Sequence, residues 1–186
     1  MSKNKKVLVT GFDPFDGDAT NPSAELLVWL KDQKFDFEVK TLQLPVSFEK
    51  CFVILDKEIK FSNPTHVILT GLAKNRQVLT VERIGINWMD ARIPDNDGAK
   101  PLNQKILLDG ADGLFSTLPV EQVMAASNAV GCPIKLSTTA GEYVCNYLLY
   151  RFLSSYKKVP GTFLHLPGVS DYFQVYQGIK AIVEAV

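Results

Sequence analysis

The sequence predicts an α/β fold in three layers (α/β/α), with helices packed on both faces of a largely parallel, mixed central sheet. Three observations carry that expectation. Strand-like and helix-like segments alternate along most of the chain, the pattern from which parallel strands and crossover helices are built. Residues 65–71, Thr-His-Val-Ile-Leu-Thr-Gly, form a nearly continuous apolar run, as a strand buried on both faces requires. The 186 residues, without internal repeat, low-complexity run or linker, fit one domain spanning 1–186 with room for a proper core.

The elements follow in order. Residues 5–10 read as a first strand, a short valine-rich run bounded by glycine. Residues 11–18 form a loop whose turn formers surround Phe12 and Phe15. These rings either pack under the sheet edge or line a pocket for a flat apolar group, and periodicity alone does not choose. Asp13, Asp16 and Asp18 lack the spacing of a calcium loop. Asn21 is placed to cap a helix, with Pro22 at the first helical position and residues 24–31 following. Residues 37–44 are a second strand, and 48–60 an amphipathic helix holding Cys51 among apolar neighbours. His66 begins the 65–71 strand. Residues 78–87 alternate as a further strand or hairpin arm with Glu82 inside it. Residues 90–101 are a polar loop, 107–119 hold a short strand or turn, and 120–130 form a helix. A strand at 133–137 feeds the helix that carries Cys145, 162–166 is the last core strand, and 172–185 the closing helix.

Composition narrows the function. With 20 acidic against 20 basic residues, there is no electrostatic case for nucleic acid or an anionic membrane surface. No apolar run approaches a membrane span. Lys3, Lys5 and Lys6 read as a solvated lead-in, since Val7-Leu8-Val9 is too short for the apolar part of a signal peptide. Cys51, Cys132 and Cys145 are odd in number and lack an export signal, which points to free thiols in a reducing cytoplasm. His66 and His165 are the only histidines and no paired-cysteine motif exists, so no metal is expected.

The chemistry gathers around Cys145. Thr139 with Glu142 three residues later fits a capping box. That helix start would put Cys145 in the second turn, near the positive pole, where backbone donors and the dipole favour thiolate. Such a cysteine also serves well as a small core residue, and Leu148, Leu149 and Phe152 continue an apolar stripe from it. His165 projects opposite to Leu164 and Leu166 and could be the base that a thiol nucleophile needs, or a histidine satisfied by backbone. Glu82 lies among Val81, Ile84 and Ile86, where a buried carboxylate is costly without a partner. Otherwise it is solvated or bridged to Arg83. Ligands of open α/β sheets bind beyond the carboxyl ends of strands. The loop after Gly71, the strand end at Ser137, and His165 are all expected at one such edge.

Six motifs together carry a resemblance. Gly11-Phe12-Asp13-Pro14-Phe15, Asn21-Pro22-Ser23, Val81-Glu82-Arg83, Asp90-Ala91-Arg92-Ile93-Pro94-Asp95-Asn96, Ala140-Gly141-Glu142-Tyr143-Val144-Cys145-Asn146 and Phe163-Leu164-His165-Leu166-Pro167 run in order over almost the whole chain. They are similar to those of the pyroglutamyl-peptidase I family of cytosolic cysteine peptidases. The resemblance implies removal of an N-terminal pyroglutamyl residue from peptides, without a cofactor. It implies Cys145 as nucleophile, His165 as general acid/base and Glu82 as the group orienting His165. It further implies an oxyanion site from Arg92 and the Cys145 amide, and a substrate pocket including Phe12, Phe15, Asn21, Leu72 and Val144. Homotetramers are common in that family. The sequence departs from the family pattern at Asp16, at Lys74-Asn75, and at Leu72, where some members carry glutamine. Rival readings are a binding protein without turnover on the same pocket, and nucleoside phosphorolysis. The second needs a phosphate loop or basic cluster that the sequence lacks.

Overall fold

The computed structural model describes residues 5–186, so Lys3 of the basic lead-in lies outside the described residues. Among the described residues, eight strands and five helices follow one another as β1 (Lys6–Phe12), α1 (Pro22–Leu30), β2 (Glu38–Leu44), α2 (Cys51–Ser62), β3 (His66–Leu72), β4 (Leu79–Glu82), β5 (Ile84–Ile86), β6 (Gly113–Phe115), α3 (Val120–Ala129), β7 (Ile134–Ser137), α4 (Val144–Ser155), β8 (Gly161–Leu166) and α5 (Tyr172–Ala185). Six strands form the main sheet in the order β2-β1-β3-β8-β4-β7, while β5 and β6 pair as a separate ribbon. Among the described residues no helix is long and apolar enough to cross a membrane.

Local chemistry explains several starts and stops. Asn21 caps α1 by accepting from the Ser23 amide, with Pro22 as first helical residue. Asp171 caps α5 by accepting from the Phe173 and Gln174 amides. The second helix begins at Cys51 rather than at residue 48, because Ser47 first makes a turn in which its Oγ accepts from the Lys50 amide at 3.1 Å. The 78–87 stretch is two strands. At Arg83 the chain leaves the main sheet, its amide donating to Ser137 and its carbonyl accepting from Ser116, and β5 continues against β6.

The sheet is mixed in a way that moves the site. β1, β2, β3 and β8 are mutually parallel, but β4 pairs antiparallel with β8 and parallel with β7. The carboxyl ends of β4 and β7 therefore point to the opposite edge from those of β3 and β8. The expectation of one shared edge is corrected to one shared face. Side chains alternate along strands. Val7, Val9, Ile68, Leu79, Val81, Leu164 and Leu166 pack with α1, α3 and α5 on one face. Leu8, Phe12, Val67, Leu69 and Phe163 pack with α2 and α4 on the other. Thr80 and Glu82, offset by one from Leu79 and Val81, fall on the α2/α4 face, and so does His165, two residues from Phe163. Leu148, Leu149 and Phe152, each 0% exposed, anchor α4 over that face. Each such burial stabilises by about 1.5–3 kcal/mol.

Candidate active site

The cysteine lies where β7 gives way to α4. Thr139 Oγ1 accepts from the Gly141 amide at 3.1 Å in the intervening turn. Gly141 takes φ of +82°, a left-handed conformation that interrupts any helix begun earlier. The helix starts at Val144 after Tyr143, whose side chain makes no capping bond. The capping box expected from Thr139 and Glu142 is thus absent, and Cys145 is the second helical residue, in the first turn. Its amide has no earlier carbonyl within the helix to bond; instead it stabilises its own sulfur. Asn146 pins the helix start: Oδ1 accepts from the Ile86 amide at 2.9 Å, and Nδ2 donates to the carbonyls of Ile86 and Trp88 at 2.9 and 3.0 Å.

The sheet supplies two further groups. Thr80 of β4 pairs with His165 of β8, which brings Glu82 under the imidazole. Glu82 Oε1 lies 2.7 Å from His165 Nδ1, with Glu82 fully buried and His165 4% exposed. Nδ1–H donating to the carboxylate leaves Nε2 as the ring nitrogen available to a reacting group. Gly71 pairs with His165 across β3 and β8, and a Cβ there would stand 3.0 Å from Cys145 Sγ and 2.8 Å from Phe163 Cζ. The missing side chain is what gives the thiol its room.

A cavity of about 300 Å³ opens over this face. Of the residues expected to build a site, Phe12, Phe15, Asn21, Leu72, Val144, Cys145 and His165 all line it. Glu82 sits behind His165. Asn21 has both polar ends engaged: Oδ1 accepts from the Ser23 amide and hydroxyl, and Nδ2 donates to the Asp13 carbonyl at 3.0 Å. It holds the Phe12–Phe15 loop in place. Phe15 is buttressed by Tyr143, their ring centroids 6.2 Å apart. The loops that carry the departures from the family pattern also meet. Asp16 adopts φ of +56°, and Lys74 Nζ lies 2.5 Å from Asp18 Oδ2, tying the Phe15 loop to the Leu72 loop.

The structure does not bring Arg92 to this cavity. It is exposed in the 87–101 stretch and is not among the lining residues. The guanidinium that lines the cavity is Arg76, which sequence reasoning missed. Arg76 Nη1 donates to Glu82 Oε1 at 2.6 Å and to Thr80 Oγ1. Nη2 donates to Ser137 Oγ at 3.1 Å and the Thr139 carbonyl at 3.2 Å. The signal for it was the buried carboxylate, which needed a cation. Arg83, the adjacent candidate, points away to Glu121 at 3.7 Å.

Burial dominates the electrostatics. It pushes the Cys145 thiol up to about 12, with the Glu82 charge adding to the rise and Arg76 and the Cys145 amide opposing it. Desolvation of the anion thus works against the thiolate that the helix terminus favours. Burial likewise holds the His165 imidazole below its ordinary value, against the hydrogen bond and charge of Glu82.

A doubly covered α/β sheet presenting a cysteine and a histidine at one cavity, with a buried carboxylate behind the histidine, is the arrangement of an α/β cysteine peptidase. A family model described as pyroglutamyl peptidase matches residues 5–180, and the chain belongs to that family. It is 40% identical over 167 residues to a pyrrolidone-carboxylate peptidase of Fusobacterium nucleatum, covering 88% of this chain and 78% of that one. It is 41% identical over 166 residues to the corresponding peptidase of Streptococcus pyogenes, covering 87% and 77%. Among solved structures, pyrrolidone carboxyl peptidase from Thermococcus litoralis matches with a TM-score of 0.90 at 32% identity, over 97% of this chain and 92% of that one. Pyroglutamyl peptidase I of Bacillus amyloliquefaciens matches with a TM-score of 0.88 at 31% identity, over 97% and 96%.

Proposed function

We propose that the chain hydrolyses the amide bond after an N-terminal pyroglutamyl residue of peptides, through a thioester on Cys145. One observation carries the reading within the family: Cys145 and His165 line one apolar cavity while Glu82, buried behind, holds His165 Nδ1 at 2.7 Å. His165 Nε2 takes the thiol proton as sulfur attacks the carbonyl carbon outside the ring, so the thiolate exists only as it reacts. The oxyanion accepts from the Cys145 amide, a donor whose loss typically costs about 3 kcal/mol of barrier. His165 then protonates the leaving amine and activates the water that hydrolyses the thioester.

The lactam ring sits between Phe12 and Phe15, with its N–H and C=O on backbone groups at Leu72 and with Val144 at the wall. An N-terminal glutamate is refused because its ammonium and carboxylate would be desolvated without partners. A homotetramer in the cytoplasm belongs to the same reading, checked by light scattering and cell fractionation. The decisive experiment is release of a fluorescent amine from a pyroglutamyl-amide, wild type beside Cys145→Ser. Turnover lost in the mutant supports the mechanism. Turnover that survives, or glutamyl-amide cleaved as readily, sinks it.

A further inference from the structure

We propose that Arg76 is a positioning residue for this reaction, clamping Glu82 to the turn that launches the nucleophile's helix so that Glu82, His165 and Cys145 are held as one unit. The inference rests on the peptidase reading above. Two observations carry it. The first is the reach of the guanidinium. One nitrogen bonds Glu82 and Thr80 on β4, and the other bonds Ser137 at the end of β7 and the Thr139 carbonyl beyond it. Ser137 Oγ donates to that same carbonyl at 3.0 Å, which closes the ring of bonds under the turn leading to α4. A planar fork of five donors fits such a junction, and a single ammonium does not.

The second is the state of the carboxylate. Glu82 Oε1 accepts from both Arg76 and His165, whereas Oε2 is buried and has no hydrogen-bond partner among the described residues. The orientation of Glu82, and through it that of the imidazole, hangs on one oxygen shared by two donors. Without Arg76, the carboxylate keeps only His165 and is free to turn.

Charge points the same way. Among the described residues, Glu82 from β4 and Arg76 from the loop after β3 act on the imidazole, and Cys145 from α4 lines the same cavity as it does. The Arg76 cation favours thiolate and disfavours imidazolium, so its removal raises the proton affinity of both.

The test measures kcat/KM for a pyroglutamyl-amide across pH, and in parallel the pH dependence of Cys145 alkylation by iodoacetamide. Wild type, Arg76→Gln and Arg76→Lys are compared, with thermal melts to confirm folding. Arg76→Gln is expected to lose about 100-fold in kcat/KM. Both limbs of its profile and its alkylation midpoint move to higher pH. Arg76→Lys keeps the limbs near their wild-type positions but not the full rate. A folded Arg76→Gln whose alkylation curve and limbs superimpose on wild type overturns the proposal, even if its melting point falls. If Arg76→Gln does not fold, Arg76→Lys decides, and wild-type kcat/KM in it overturns the clamp. A wild type that turns over nothing, with the alkylation shift still present, sinks the peptidase reading and leaves the Arg76 assignment standing.

Discussion

Two cysteines occupy nearly the same helical position and differ in everything else. Cys51 is the first residue of α2 and Cys145 the second of α4, and neither helix has a side-chain cap. Both thiols are pushed up by burial. Cys51, 0% exposed, packs in the apolar cluster between α2 and the sheet. Cys145 lines a cavity with His165 and Arg76. The histidines repeat the contrast. His66, at the start of β3, has its Nδ1 2.9 Å from Thr65 Oγ1, whereas His165 rests on Glu82. A shared place at a helix start therefore leaves the two thiols in different surroundings, and Cys145, unlike Cys51, has a carboxylate-bound histidine and an open cavity beside it.

The largest effect should come from breaking the contrast at its centre. Cys145→Ser is expected to lower kcat for pyroglutamyl-amide by about 10⁴-fold or more, while Cys51→Ser retains wild-type kcat/KM. Equal losses in the two variants would erase the distinction. Next in size is the base. Glu82→Gln removes the charge that steadies the imidazolium and is expected to cost about 10²–10⁴-fold in kcat, with melting temperature as the control for folding.

Stability sharpens the comparison in the other direction. Cys51→Ser places a hydroxyl in an apolar site and should destabilise by about 1–3 kcal/mol in urea melts. A smaller effect follows from proton linkage. The Cys145 thiol ionises near 9.0 when unfolded but near 12 when folded, so between those values the native state holds the extra proton. Stability from this group is full below pH 9 and is lost as pH rises through that window. Cys145→Ser should show a shallower alkaline decline in stability than wild type. An identical decline would mean that Cys145 does not titrate there.

Most elements were legible in the sequence, because strands such as 65–71 and the helix capped by Asn21 announce themselves through local pattern. The antiparallel insertion of β4 was not, since the period of a strand is the same in either direction. The start of α4 misled for a related reason. Thr139 and Glu142 have capping-box spacing, yet the +82° φ of Gly141 ends that possibility, and a backbone angle leaves no trace in residue type beyond the glycine itself. Cys145, His165 and Glu82 could be singled out because buried polar groups need partners. Arg76 could not be fixed as the partner, because its side chain crosses from a loop to two strands that only the fold brings together.

The hydrogen bonds between β4 and β8 hold Thr80 opposite His165. The separation of Glu82 from the imidazole is thereby a property of the sheet's register, and a slip of one residue would turn the carboxylate to the opposite layer. Substitutions at Lys74-Asn75 can reshape the mouth of the cavity while Arg76, the next residue, keeps its bonds to Glu82 and Thr80. The spacing of carboxylate and imidazole is thus written in the ladder, while side chains on the neighbouring loops are free to vary around Arg76.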